Sequence, residues 1–206
     1  MINTVIFDIG NVLMKFDFFS IMEKVFPDRK IVDVVADAYF VSGNWNKLDL
    51  GIAGDEEFLA SVIAYAPDYE KELRLAFDHV HETLIKEDFA IPWVRGLKER
   101  GYRVLFLSNY STTIMEKGPE VLGFLPLMDG GVFSCDVHLC KPDPAIYKAL
   151  KEKYRLDFSE CVFLDDTLPN LEEANRQGLR TIHVKNHGQA EADLERLLQE
   201  EGIEAK

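Results

Sequence analysis

Four short stretches of this 206-residue chain place reactive side chains where packing has no need of them. The first, Thr4-Val5-Ile6-Phe7-Asp8-Ile9-Gly10-Asn11, is an apolar run that ends on a carboxylate and a Gly-Asn turn signal. Such an unalternating run reads as a strand buried on both faces, as in a parallel sheet. An acid at its C-terminal end sits where α/β sheets open their ligand crevice; the bland alternative is an acid that caps the next turn. The other stretches are Ser108-Asn109 after the run Arg103 to Leu107, Lys141 in Cys140-Lys141-Pro142-Asp143, and Asp165-Asp166 after Cys161 to Leu164. All would meet at one edge of a parallel sheet. Three carboxylates gathered there repel one another unless a cation lies between them, and hard oxygens in that number suit Mg²⁺. Lys141 as a point charge and Ser108 as a hydroxyl donor suit phosphate oxygens, so the set asks for a phosphoryl group.

The elements that must position these residues follow from periodicity and punctuation. After Asp8 the pattern turns helical through Phe18 to Val25, Ile31 to Phe40, Glu56 to Ala66 and Tyr69 to Glu87, broken by Pro27, Gly43, Gly51, Gly54 and Pro67. From Pro92 the chain alternates. Helices are expected at Pro92 to Arg100, Ser111 to Val121, Pro144 to Tyr154, Pro169 to Gln177 and Gln189 to Glu200. Between them come strands at Arg103 to Leu107, Val132 to Ser134, Cys161 to Leu164 and Thr181 to Val184. Pro92, Pro144 and Pro169 stand where a first helical residue belongs, Asp143 where an N-cap belongs, and Gly101 and Gly178 just past helix ends. The expectation is an α/β core of residues 1–15 and 89–206, a doubly wound parallel sheet, with a helical insert over 16–88.

Composition narrows the function classes. A formal charge of −13 with no compensating basic run disfavours nucleic acid and anionic membrane surfaces as partners. No apolar span is long enough to cross a bilayer, and no signal-peptide pattern is visible, so a cytoplasmic protein with a small-molecule substrate is expected. Cys135, Cys140 and Cys161 are an odd number and are read as reduced. His79 and His81, two apart on an expected helix, cannot face one ion, and Cys135, His138 and Cys140 lack a fourth ligand. Monomer and homodimer are equally compatible with the pattern.

The four stretches, in this order and spacing, resemble the motifs of the haloacid dehalogenase superfamily of hydrolases. The matching segments are Phe7-Asp8-Ile9-Gly10-Asn11-Val12, Leu107-Ser108-Asn109, Lys141-Pro142-Asp143 and Phe163-Leu164-Asp165-Asp166-Thr167-Leu168-Pro169-Asn170. The resemblance implies a Rossmann-like core with a four-helix cap inserted after the first motif. It implies Asp8 as nucleophile toward phosphorus, with Ser108 and the Asn109 amide on the phosphoryl oxygens and Lys141 neutralising them. Mg²⁺ would be held by Asp8, the Gly10 carbonyl and Asp166, with Asp165 and Asn170 behind them.

One position departs from the pattern. Phosphatases of this superfamily usually carry a second Asp two residues after the nucleophile, as the acid that protonates the leaving oxygen; here it is Gly10. Loss of general acid-base catalysis is typically worth about 10²–10⁴ in rate. A substrate whose leaving group needs little protonation, such as an anomeric sugar phosphate, would suffer least. The Gly-Asn pair, with Trp45 to Phe58 and Val162 to Gly178, is similar to the branch that contains the bacterial α-D-glucose-1-phosphate phosphatase. The alternative expectation is that Asp17 or Asp165 stands in, in part, for the missing acid. Trp45, Lys47 and Asp49 fall in a Gly-bounded bend of the insert from which a lid can reach the site, and Tyr110 follows Ser108 closely; Trp45, Lys47 and Tyr110 are the candidate specificity residues. Two other readings stand beside the phosphatase. One is a metal-independent 2-haloacid dehalogenase, which the acidic pair Asp165-Asp166 disfavours; the other is a weakly active family member acting as a binding protein.

Overall fold

In the computed structural model, which describes residues 1–204, the chain begins with β1 (Thr4–Phe7), whose four residues are all buried. It becomes the centre of a five-stranded parallel sheet with β4 (Arg103–Ser108), β5 (Gly130–Phe133), β6 (Cys161–Asp165) and β7 (Arg180–His183), in the order β5-β4-β1-β6-β7. Phe7 pairs with Phe106 on one side and Leu164 on the other, so the residues that follow β1, β4 and β6 come out side by side. This is the expected doubly wound α/β fold.

Alternation along the strands divides the core between two faces. Ile6, Leu105, Leu107 and Phe163 pack with Ile146, Tyr147 and Leu150 of α9 (Pro144–Tyr154) and with Leu171 and Ala174 of α10 (Leu168–Arg176). Val5, Phe7, Val104 and Leu164 belong to the second cluster, with Trp93, Val94 and Leu97 of α6 (Ala90–Glu99) and Leu194 of α11 (His187–Glu204). Asp143 caps α9, accepting from the Ala145 amide at 2.8 Å as its position before Pro144 led one to expect.

Between the first strand and α6 the chain is mainly helical: α1 (Phe18–Val25), α2 (Arg29–Ala36), α3 (Asn44–Asp49), α4 (Asp55–Tyr65) and α5 (Glu70–Asp78). Their apolar faces meet on fully buried Val32, Val35, Tyr39, Phe58, Val62, Leu73 and Ala76. The Tyr39 hydroxyl donates to the Leu73 carbonyl at 2.8 Å.

Three boundaries differ from expectation for physical reasons. The helix expected over Tyr69 to Glu87 stops at Asp78, because Leu84–Lys86 forms strand β3 and pairs antiparallel with β2 (Met14–Phe16). That pairing joins segments far apart in sequence, so local periodicity carries no sign of it. The helix expected over Ile31 to Phe40 is α2 followed by a wider π turn, Asp37–Val41. The helix expected over Ser111 to Val121 ends after α7 (Thr112–Lys117), where Gly118 and Pro119 interrupt it. The bend around Trp45 contains the helical α3.

Candidate active site

Asp8 leaves the sheet at the C-terminal end of β1, its amide still donating to the Leu164 carbonyl of β6 at 2.8 Å. A tight turn follows, with the Leu13 amide on the Ile9 carbonyl at 2.9 Å and Asn11 in the left-handed region at φ 54°. Asn tolerates that conformation where most residues do not, which is the use of the Gly-Asn signal here. The Ile9 amide donates 2.7 Å to Asp8 Oδ1 and fixes the carboxylate.

Lys141 arrives from the loop after the short helix α8 (Ser134–Val137). Its backbone is held by the Asn109 side chain from both sides: the Lys141 amide donates to Asn109 Oδ1 at 2.8 Å, and Asn109 Nδ2 donates to the Lys141 carbonyl at 3.0 Å. The ammonium, in a residue only 5% exposed, lies 3.0 Å from Asp8 Oδ1 and 2.6 Å from Asp165 Oδ2. Burial acts to discharge Lys141, but Asp8 and Asp165 outweigh it and hold the pKa above its ordinary value.

Asp165 is fully buried and spoken for. Besides Lys141 it accepts from the Thr167 amide at 2.7 Å and from Asn170 Nδ2, 3.1 Å from each of its oxygens. Asp166 is more open, accepting from Asn11 Nδ2 at 3.1 Å and from the Thr167 hydroxyl at 3.2 Å. Among the described residues, Asp8, Asp165 and Asp166 form a group of carboxylates whose oxygens lie within 4.8 Å of one another. One lysine cannot balance three such charges. Burial pushes Asp8 up to about 7, with Asp165 adding to the rise and Lys141 and Ser108 opposing it. A divalent cation held by Asp8, Asp166 and the Gly10 carbonyl would answer that excess with oxygen donors alone, so the residues present fit Mg²⁺.

The site opens into a cavity of about 190 Å³. Asp8, Gly10, Asn11, Asp166 and Thr167 form its polar floor, and Asn109, Tyr110, Ser111 and Ile114 border it from the segment after β4. Met14 and Phe16 of β2, Leu84 of β3, and Trp45 and Asp49 of α3 complete it. Trp45 and Tyr110, two of the three candidate specificity residues, therefore reach the cavity. Lys47 does not line it; its ammonium is engaged by Asn44 Oδ1 at 2.9 Å, one turn back on α3. Ser108 is buried at the end of β4, where its hydroxyl acts to lower the Asp8 carboxyl against the effect of burial.

Neither expected substitute for the missing acid is placed to act. Asp17 caps α1 through the Ser20 amide, pairs with Lys15 at 2.5 Å and is held below the usual carboxylate range by those bonds. It does not line the cavity, and Asp165 is enclosed by its partners. Sequence reasoning placed Asp49 with Trp45 and Lys47 in the bend able to reach the site but did not count it among the specificity residues. Its only signal was its place beside Trp45 in a glycine-bounded segment, and burial next to the Asp8 charge pushes its carboxyl up to about 7.

Known proteins share sequence and fold with this chain. The phosphonoacetaldehyde hydrolase of Bordetella pertussis is 33% identical over 126 residues, covering 59% of this chain and 45% of that enzyme. The chain spans less than half the length of the curated relatives it matches first, at 7% and 45%. A haloacid dehalogenase family enzyme of Bacteroides thetaiotaomicron, solved with magnesium and inorganic phosphate, superposes with a TM-score of 0.69 at 20% identity, over 90% of this chain and 95% of that one. The L-2-haloacid dehalogenase of Xanthobacter autotrophicus superposes at 0.65 with 16% identity, over 89% and 78%. These two likenesses are of fold. The family described as haloacid dehalogenase-like hydrolase matches residues 2–178, a span that holds both Asp8 and Lys141, and the chain belongs to this family of hydrolases.

Proposed function

We propose that the chain is a Mg²⁺-dependent phosphatase that cleaves a small phosphorylated metabolite through an aspartyl phosphate on Asp8. The observation that carries the reading is Asp8 at the mouth of the central strand, 8% exposed, 3.0 Å from the Lys141 ammonium and opening into the cavity beside Asp166. In this reading an Asp8 oxygen attacks phosphorus as the ester bond to the leaving oxygen breaks. Ser108 and the Asn109 amide hold the phosphoryl oxygens, and Lys141 neutralises them and keeps Asp8 aimed. Asp8, Asp166 and the Gly10 carbonyl would hold Mg²⁺, with Asp165 and Asn170 fixing Lys141 and the end of β6 behind them. When bound, the ion supplies positive charge that lets an anionic nucleophile approach an anionic phosphoryl group.

The substrate is read as a sugar phosphate. Phe16 and Trp45, with ring centroids 6.0 Å apart, give the cavity flat apolar surfaces of the kind a sugar's C–H face covers. An anomeric ester suits position 10 best, because its departing oxygen is less basic than a primary alkoxide.

Phosphate release from glucose 1-phosphate, glucose 6-phosphate, flavin mononucleotide and an aryl phosphate, with Mg²⁺ or chelator, tests the reading. Metal-dependent release that Asp8→Asn abolishes is expected, with glucose 1-phosphate ahead of glucose 6-phosphate. Halide release from a 2-haloacid without metal would instead make the chain a dehalogenase. Inertness of the folded protein toward both panels would favour a binding role.

A further inference from the structure

Position 10 leaves the β1 loop without an acid, yet the cavity it borders has a carboxylate from another direction. Asp49 is the last residue of α3 and lines the same cavity as Asp8. Among the described residues its carboxylate takes no hydrogen bond, and it stands outside the Asp8–Asp165–Asp166 group. In-line displacement drives the leaving oxygen away from Asp8 and into the cavity, whose lining includes Phe16, Trp45 and Asp49.

The backbone around Asp49 is latched to the core by three consecutive residues. The Ser134 hydroxyl donates to the Asp49 carbonyl at 2.5 Å while accepting from the Tyr110 amide at 2.9 Å, which ties α3 to the segment that carries Ser108 and Asn109. His138 Nδ1 lies 2.8 Å from the Leu50 carbonyl. Gly51, at φ +63°, packs so closely on α8 that a Cβ there would sit 2.6 Å from the Cys135 carbonyl oxygen. A carboxylate carried by a merely solvated bend would need none of these.

We propose that Asp49 is the general acid and base of the reaction, replacing the side chain absent at Gly10, and that Ser134 is the residue that positions it. This rests on the phosphatase reading of the site. In the first step the Asp8 carboxylate forms the Asp8–phosphorus bond, the ester oxygen leaves with its electron pair, and it takes the Asp49 proton to become the free alcohol. In the second, water attacks phosphorus and gives its proton to the Asp49 carboxylate; the Asp8–phosphorus bond breaks, releasing phosphate and restoring both groups. Burial, which raises the Asp49 carboxyl to about 7, suits a group that must hold a proton and then accept one near neutral pH.

The test compares wild type, Asp49→Asn and the double variant Gly10→Asp/Asp49→Asn on a primary alkyl phosphate and on p-nitrophenyl phosphate, whose leaving group needs no proton. Folding of each is checked by circular dichroism. For Asp49→Asn a loss in kcat of about 10²–10⁴ is expected on the alkyl ester, and less than about tenfold in the nitrophenolate burst, with phosphoenzyme accumulating because the base is missing. A Cβ at Gly10 meets nothing within 4 Å, so the double variant has room for its new carboxylate and should regain alkyl turnover. Ser134→Ala should lower the alkyl-to-aryl ratio of first-turnover leaving-group release without raising KM.

Equal losses in the first-turnover rate of leaving-group release from both esters, or a rise in KM at unchanged kcat, would overturn the assignment and make Asp49 a group that binds the substrate. Failure of wild type to release phosphate at all would instead sink the phosphatase reading beneath it, so the two failures are separable.

Discussion

At the scale of single residues the site is an exercise in charge accounting. Lys141 is pinned by the Asn109 amide on both its backbone groups, so its ammonium meets Asp8 by construction rather than by search. Asn109→Ala removes both bonds; a stability loss of about 1–3 kcal/mol in urea unfolding is expected, because partners are left unpaired in a part-buried place. An unchanged midpoint would mean that the loop is held by other contacts. Asp49 gives a prediction in pH. Its folded-state pKa of about 7 lies above the ordinary 3.8, so below about pH 4 both folded and unfolded chains hold the proton and the group is neutral in effect. As pH rises through about 7 the unfolded chain ionises first and stability is lost. With chelator present, Asp49→Asn should match wild type in Tm near pH 4 and exceed it at pH 8, by roughly 2–4 °C for each kcal/mol relieved. Equal melting at pH 8 would show that the ionised carboxylate is buried at no cost.

At the scale of elements, the strands deliver and the loops aim. β1, β4 and β6 bring Asp8, Ser108 and Asp165 to one edge simply by running parallel in register. What the proposed cap of residues 16–88 contributes depends on α3, whose C-terminal end is held by α8. Gly51→Ala tests that hold: at φ +63° a Cβ costs about 1–2 kcal/mol, and its 2.6 Å approach to Cys135 forces α3 to move. Lower stability in urea is expected, together with a loss of alkyl phosphate turnover larger than the loss on an aryl ester. Full alkyl turnover in Gly51→Ala would detach α3 placement from the chemistry.

At the scale of the whole molecule the acidic balance leaves charge to be offset at the site. A net charge of −13 repels itself, and Asp8, Asp165 and Asp166 gather three acids around one lysine. Mg²⁺ should therefore raise Tm beyond what NaCl does at equal ionic strength, by about 2.7 kcal/mol of stabilisation at a hundredfold excess over Kd. Asp166→Asn should remove most of that gain, and a gain that survives it would place the ion elsewhere. No helix among the described residues is long and apolar enough to cross a membrane.

The sequence by itself determined the parallel sheet, because buried strands write themselves as unbroken apolar runs and helices as 3.6-residue stripes closed by Pro and Gly. It also determined which four stretches could carry chemistry, since Asp8, Ser108, Lys141 and Asp166 are polar residues at apolar strand ends or in the loops beside them. Only the tertiary structure decided the rest. That Leu84–Lys86 is a strand depends on Met14–Phe16, its distant partner. That Lys47 is turned to Asn44 while Asp49 reaches the cavity depends on contacts made by Ser134 and His138, residues distant in sequence. Periodicity records which face of an element is buried, but not which other element buries it; a burial-shifted carboxylate is made by the neighbour, and the neighbour is known only when the chain has folded.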